Sequence, residues 1–149
     1  MVYVFCYFRR SKINNILIDF ECDDFVIVNK PHGVLSHPTN TSKELTVSDF
    51  LKDKYNLSGV GDIGREGVVH RLDRVTTGLM VCPINDESFK VFKSMFHDRN
   101  INKYYKALVE GSLKSKTGEI ELPLKRSSKN RKKREVSKDG KNAITKYST

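Results

Sequence analysis

The 149-residue chain has no tryptophan, few prolines and only three cysteines. Cys6, Cys22 and Cys82 form an odd set with no Cys-x-x-Cys spacing, which argues against a disulfide framework or a zinc site and for reduced, cytosolic thiols. The four histidines, His32, His37, His70 and His97, lack the paired spacing of a metal site, so no metal is expected. Long hydrophobic runs are also missing. The apolar opening, residues 1–8, is far short of the roughly 20 residues that span a bilayer. Its arginines, Arg9 and Arg10, follow the apolar stretch, whereas a signal peptide has the opposite order. A first strand or untidy non-family sequence is the better reading of this segment, and no membrane partner is expected.

The chain does have positive charge, and that charge is unevenly placed. Residues 103–149 hold 14 Lys and Arg against 5 Asp and Glu, so the whole net charge of +9 sits in the last third. Seven of the ten residues 125–134 are basic, Arg131, Lys132 and Lys133 among them. Such a density suits phosphate contacts with a nucleic acid, and equally a solvated loop without a partner.

Hydrophobic patterning divides the chain into short strands and helices. Residues 16–20 and 25–28 read as two β-runs around an acidic turn at Asp23-Asp24. Residues 30–41, with two prolines, a glycine and two histidines, read as loop. Thr46 can cap a helix through about Tyr55, with Val47, Phe50, Leu51 and Tyr55 on one face. Asn85 can cap a second over residues 86–97, where Phe89, Phe92 and Phe96 form a stripe suited to core packing. Residues 103–109 alternate as a strand should, and residues 119–124 partly do so. The fold class expected is α+β, a mixed or antiparallel sheet with flanking helices, without the regular alternation of a doubly wound fold.

Between the apparent strand end at Val68-Val69 and the strand start at Gly78 lies the run His70-Arg71-Leu72-Asp73-Arg74-Val75-Thr76-Thr77. One carboxylate sits among two arginines, and Arg71 or Arg74 would hold Asp73 ionised. An ordinary salt-bridged loop would look the same over Arg-x-Asp alone. Two competing motifs fail on context. Gly59-x-Gly61-x-x-Gly64 matches a dinucleotide fingerprint as text, but it follows a helix and leads into Val68-Val69, so it reads as a flexible loop. The kinase catalytic loop has its aspartate one residue earlier and needs an upstream glycine-rich loop with a lysine strand.

His70-Arg71-Leu72-Asp73 with Thr76-Thr77-Gly78-Leu79 resembles the catalytic motif of the RluA-type RNA pseudouridine synthases. Other segments agree in the same order. They are Asp23-Asp24-Phe25-Val26-Ile27-Val28-Asn29-Lys30-Pro31-His32-Gly33, then His37-Pro38, and then Lys103-x-Tyr105-x-Ala107-Leu108-Val109-x-Gly111. Leu122-Pro123-Leu124, Asn130-Arg131-Lys132-Lys133 and Gly140-Lys141-x-Ala143-x-Thr145-x-Tyr147 are similar to the ribosomal large-subunit branch. The similarity runs from about residue 18 to 147, which implies a non-family extension over 1–17 and the front part of a pseudouridine synthase catalytic domain over 18–149. Family members continue past the point corresponding to Thr149 with a Thr-Gly-Arg-Thr-His-Gln-Ile-Arg-like motif and a basic partner for the catalytic aspartate. A C-terminally shortened domain is therefore expected, from a split gene, a frameshift or a trimmed product. Thr77 and Met80 are mild departures; Val75 replaces a usual acidic residue and removes one partner for Arg71 or Arg74.

The resemblance implies an isomerase that needs no cofactor, acts on RNA, ribosomal RNA by its branch, and works as a cytoplasmic monomer. Asp73 would be the nucleophile or base, at the ribose C1′ or on the uracil. Arg71 would fill the space vacated by the flipped uridine, and His70 beside it would either touch RNA or be a hydrogen-bonded strand-end histidine. Tyr105 would pack on the uracil and help remove the C5 proton, unless it is a core tyrosine. Arg131, Lys132 and Lys133 would hold phosphates. A non-catalytic RNA-binding remnant of such an enzyme is the alternative.

Overall fold

The computed structural model describes residues 15–39, 42, 44–130 and 133–149, as two compact units that divide after Lys103. Cys6, the apolar opening, Arg131 and Lys132 lie outside the described residues. No helix among those described is long and apolar enough to cross a membrane.

In the first unit, strands β1 (Leu17–Glu21), β2 (Phe25–Lys30) and β3 (Gly78–Pro83) form an antiparallel sheet in that order. The acidic turn closes the first hairpin, with the Cys22 N–H donating to Phe25 O at 3.1 Å. Alternate residues of β2 point to one face, and there Val26, Val28 and Lys30 are all buried. Val26 lies opposite Cys82 and Val28 opposite Met80, so four small or flexible apolar side chains share that face.

Helix α1 (Val47–Tyr55) adds Val47, Phe50 and Leu51 to the same core. Each such burial contributes about 1.5–3 kcal/mol. The helix starts where it does because Thr46 and Asp49 form a reciprocal capping box, and it stops at Asn56, whose φ of 49° is left-handed. Helix α2 (Asp86–His97) is capped by Asn85, whose side chain accepts from the Ser88 N–H at 2.8 Å. Its phenylalanines do pack, though against different partners. Phe89 is buried, Phe92 meets Phe25 edge-on at 5.2 Å, and Phe96 stacks on His70 at 4.4 Å.

In the second unit, strands β4 (Thr117–Arg126), β5 (Arg134–Val136) and β6 (Lys141–Ser148) form a separate antiparallel sheet with β4 central. The described residues of this unit contain no helix.

Four details differ from the sequence reading. The strands make two sheets, both wholly antiparallel, instead of one. Lys30 ends β2 opposite Gly78 instead of opening a loop. Val68-Val69 is irregular: the Val68 N–H is spent on Arg65 O at 2.9 Å, in a turn, so Val68 is buried without entering a ladder. Residues 103–109 alternate but form no strand, because no described strand lies alongside to take up their backbone groups, and an unpaired run has nothing to stabilise the extended form.

Candidate active site

Residues 59–67 set the approach to the Asp73 loop. Gly59, Gly61, Gly64 and Gly67 all have positive φ, which makes this segment the loop that its context predicts. A buried carboxylate organises it. Glu66 Oε1 accepts from the Gly64 N–H at 3.1 Å and faces Lys52 at 3.5 Å, while the Ser48 hydroxyl donates to Glu66 O at 3.1 Å. Burial raises the Glu66 pKa, but backbone N–H groups and Lys52 outweigh it and hold the group below the usual carboxylate value.

His70 follows, and the protein claims much of its ring. One face stacks on Phe96, and Nε2 accepts from the Val81 N–H at 3.1 Å, so the ring is the neutral Nδ1–H tautomer. Burial, helped by the positive charge of Lys103, lowers its pKa to about 4. What it can offer a ligand is its Nδ1 edge.

Asp73 is 78% exposed in its side chain, with Arg71 Nη2 at 3.5 Å from Oδ1. Arg74 does not share this role. Its guanidinium turns to Glu44, at 2.7 Å from Oε2 and 2.9 Å from Oε1. Glu44 thus gives Arg74 an acidic partner although Val75 offers none, and nothing in a 30-residue separation announces it.

The carboxylate is mostly exposed but its backbone is held. Lys30 is fully buried at the end of β2, and its ammonium donates to Val34 O at 2.8 Å, Pro31 O at 3.2 Å and Arg74 O at 3.3 Å. Burial pulls the Lys30 pKa below the ordinary lysine value, and the charge of Asp73 acts the other way. Arg74 O also accepts from the Gly33 N–H at 2.8 Å, and Asp73 O from the Thr76 N–H at 3.0 Å. The Ser36 hydroxyl, buried, donates to Leu72 O at 2.8 Å and accepts from the Leu72 N–H at 3.1 Å. An acid presented to solvent from a clamped loop can attack or take a proton from a ligand without first ordering its own backbone.

A search against protein families matches residues 24–149 to the RNA pseudouridylate synthase model. The chain belongs to the RNA pseudouridylate synthase family. Among its relatives, the ribosomal large subunit pseudouridine synthase D of Borreliella burgdorferi is 39% identical over 140 residues, covering 89% of this chain and 42% of that protein. The synthase of the same name from Zymomonas mobilis is 38% identical over 134 residues, with 87% and 42% covered. The chain thus spans about four-tenths of the length of these relatives. The human RNA pseudouridylate synthase domain containing 4 shares the fold, with a TM-score of 0.57 at 18% identity over 87% of this chain and 51% of that one.

Of the residues singled out from sequence, His70, Arg71 and Asp73 lie together on the first unit of this family member. Tyr105, 64% exposed, and Lys133 belong to the second. Lys133 is exposed in the β4–β5 hairpin, where its carbonyl accepts from the Ser127 N–H at 3.0 Å. The sequence reading missed the grips on the Asp73 loop. Lys30 was detectable, since it continues the Val26, Val28 alternation onto the buried face; Ser36 and Glu44 gave no signal.

Proposed function

We propose that this chain carries the aspartate-bearing part of a cytoplasmic RNA pseudouridine synthase acting on large-subunit ribosomal RNA. The reaction breaks the bond between C1′ and N1 of a uridine, turns the uracil, and joins C1′ to C5. The C5 proton is lost and N1 gains one, so the change is an isomerisation without an oxidant or cofactor. The observation that carries this reading is Asp73: an exposed carboxylate on a loop whose backbone is fixed on both sides, within the residues 24–149 that match the family model. Asp73 acts as nucleophile or base at the ribose or the uracil. Arg71, exposed beside it, fills the space left by the extruded uridine and meets phosphate. His70 contributes its Nδ1 edge at the rim. Tyr105 packs on the uracil and assists loss of the C5 proton, and Arg131, Lys132 and Lys133 hold phosphates.

The test uses two proteins: this chain, and the chain joined to the part of the Borreliella burgdorferi relative that lies beyond the match. Tritium release from C5-labelled uridine in ribosomal RNA is expected from the joined protein. Asp73→Asn should lower it by about 1000-fold or more with RNA affinity retained. Substantial turnover by the variant would remove Asp73 from the chemistry. RNA binding without turnover by either parent would favour the non-catalytic alternative.

A further inference from the structure

We propose that Ser36 is a positioning residue for Asp73, acting through the two peptide groups that precede it. The proposal rests on the function just described. The Leu72 N–H belongs to the peptide joining Arg71 to Leu72, and Leu72 O to the peptide joining Leu72 to Asp73. The single Ser36 hydroxyl bonds both, at 3.1 and 2.8 Å. Its proton has a second, weaker acceptor in Met80 Sδ at 3.6 Å, so Leu72 O at the shorter distance takes it.

Ser36 can act as a clamp because it is itself tied to a rigid element. Its carbonyl accepts from the Ser48 N–H at 3.1 Å and the neighbouring Leu35 O accepts from the Val47 N–H at 2.9 Å, both in the first turn of α1. That turn is fixed in turn by the Thr46–Asp49 capping box. A continuous path therefore runs from the helix start through the Ser36 backbone and hydroxyl to the backbone of Asp73. On the far side the Lys30 ammonium and the Gly33 N–H hold Arg74 O, so the loop is gripped before and after the aspartate. The carboxylate itself is mostly exposed and has one cation at 3.5 Å, so its direction depends on the backbone beneath it. Removing the Ser36 hydroxyl frees both preceding peptides and leaves a buried donor and acceptor unpaired. A displacement of about 1 Å at a reacting group can cost about a hundredfold in rate.

The experiment measures the single-turnover rate constant of tritium release, per folded molecule and at saturating enzyme, in whichever of the two proteins above turns over uridine. Ser36→Ala is expected to lower that constant about 10- to 100-fold with the RNA dissociation constant unchanged, and Ser36→Thr, which keeps the hydroxyl, to restore most of it. Should Ser36→Ala not fold, Ser36→Cys, of similar shape and weaker hydrogen bonding, should show the same loss at smaller amplitude. A role in stability alone would lower the folded fraction and leave the rate constant untouched, which would overturn the proposal. Parents that both release no tritium would overturn the functional reading and this inference with it. An active parent whose serine variants keep its rate would overturn this inference alone.

Discussion

Lys30 and His70 are ionisable groups whose positions follow from sheet geometry, and both have measurable consequences. Lys30 falls on the buried face of β2 by the two-residue period and is tolerated there because three carbonyls receive its ammonium. Lys30→Met would leave Val34 O and Pro31 O without that donor and is expected to destabilise the first unit by about 1–3 kcal/mol, read from urea unfolding. An unchanged midpoint would mean that water replaces the ammonium freely. His70 predicts a pH dependence. Its folded pKa of about 4 lies below the ordinary value of 6.5, so above pH 6.5 the ring is neutral in both states and its contribution is complete. As pH falls from 6.5 towards 4 the unfolded chain takes up a proton that the folded chain refuses. Stability should therefore fall in that window, by on the order of 1–3 kcal/mol in total. His70→Gln, which retains an acceptor for the Val81 N–H, should show a flatter difference between urea midpoints at pH 7.5 and pH 4.5. Equal slopes for the two proteins would show that other groups carry the dependence.

The elements divide into those whose causes are local and those whose causes are not. Both helices and their caps were legible, because Thr46 with Asp49 and Asn85 with Ser88 satisfy the first-turn N–H groups from within four residues. β1, β2, β3 and β4 were legible from apolar runs and turn residues. The strand expected at 103–109 was not real here, since alternation describes only one side of a pairing and the partner is a separate fact. The site followed the same rule. The motif marked Asp73, while Glu44 reaches the neighbouring Arg74 and Ser36 reaches Leu72, from 30 and 36 residues away, through loop geometry that no local pattern encodes. Gly67 tests how much the loop before the site depends on backbone freedom. It has φ of 70°, and a Cβ there would lie 2.7 Å from Leu57 Cδ1 and 3.2 Å from Pro83 O. Gly67→Ala should therefore cost about 2–4 kcal/mol, combining left-handed strain with overpacking, whereas Gly59→Ala, with open space around it, should cost about 1 kcal/mol. Equal unfolding midpoints for the two variants would refute the packing part. The β4–β5 hairpin has its own test. Replacing Arg131, Lys132 and Lys133 by Ser should reduce the salt slope of RNA binding by about two to three units, at roughly 0.7–0.9 per phosphate contact. An unchanged slope would make the run a solvated loop.

At the scale of the whole molecule, charge and cover are distributed differently. The first unit has two helices for its sheet and a net charge of +1, whereas the second carries +8. In the second sheet Ile120 pairs with Thr145, Leu122 with Ala143, and Leu124 with both Lys141 and Val136. Directly opposed residues share a face, so Ile120, Leu122, Leu124, Ala143 and Val136 make one apolar face. Ile120, Leu122 and Val136 are exposed, and the unit has no described helix to lay over them. A three-stranded sheet with an uncovered apolar face is marginal in water and tends to associate. Asp73, meanwhile, has Arg71 at 3.5 Å as its ion-pair partner and the buried Lys30 ammonium within reach of its charge, while the family resemblance implies a further basic partner from a later segment. Both deficits predict the same difference between the chain and the chain joined to the remaining part of its Borreliella burgdorferi relative. The 149 residues alone should sediment as concentration-dependent oligomers, bind a hydrophobic dye and release no tritium from C5-labelled uridine. The joined protein should lose the dye signal and gain turnover together, since one added segment would cover the sheet and supply the cation. A chain that stays monomeric, unfolds cooperatively and modifies RNA at the rate of the joined protein would show that neither deficit matters.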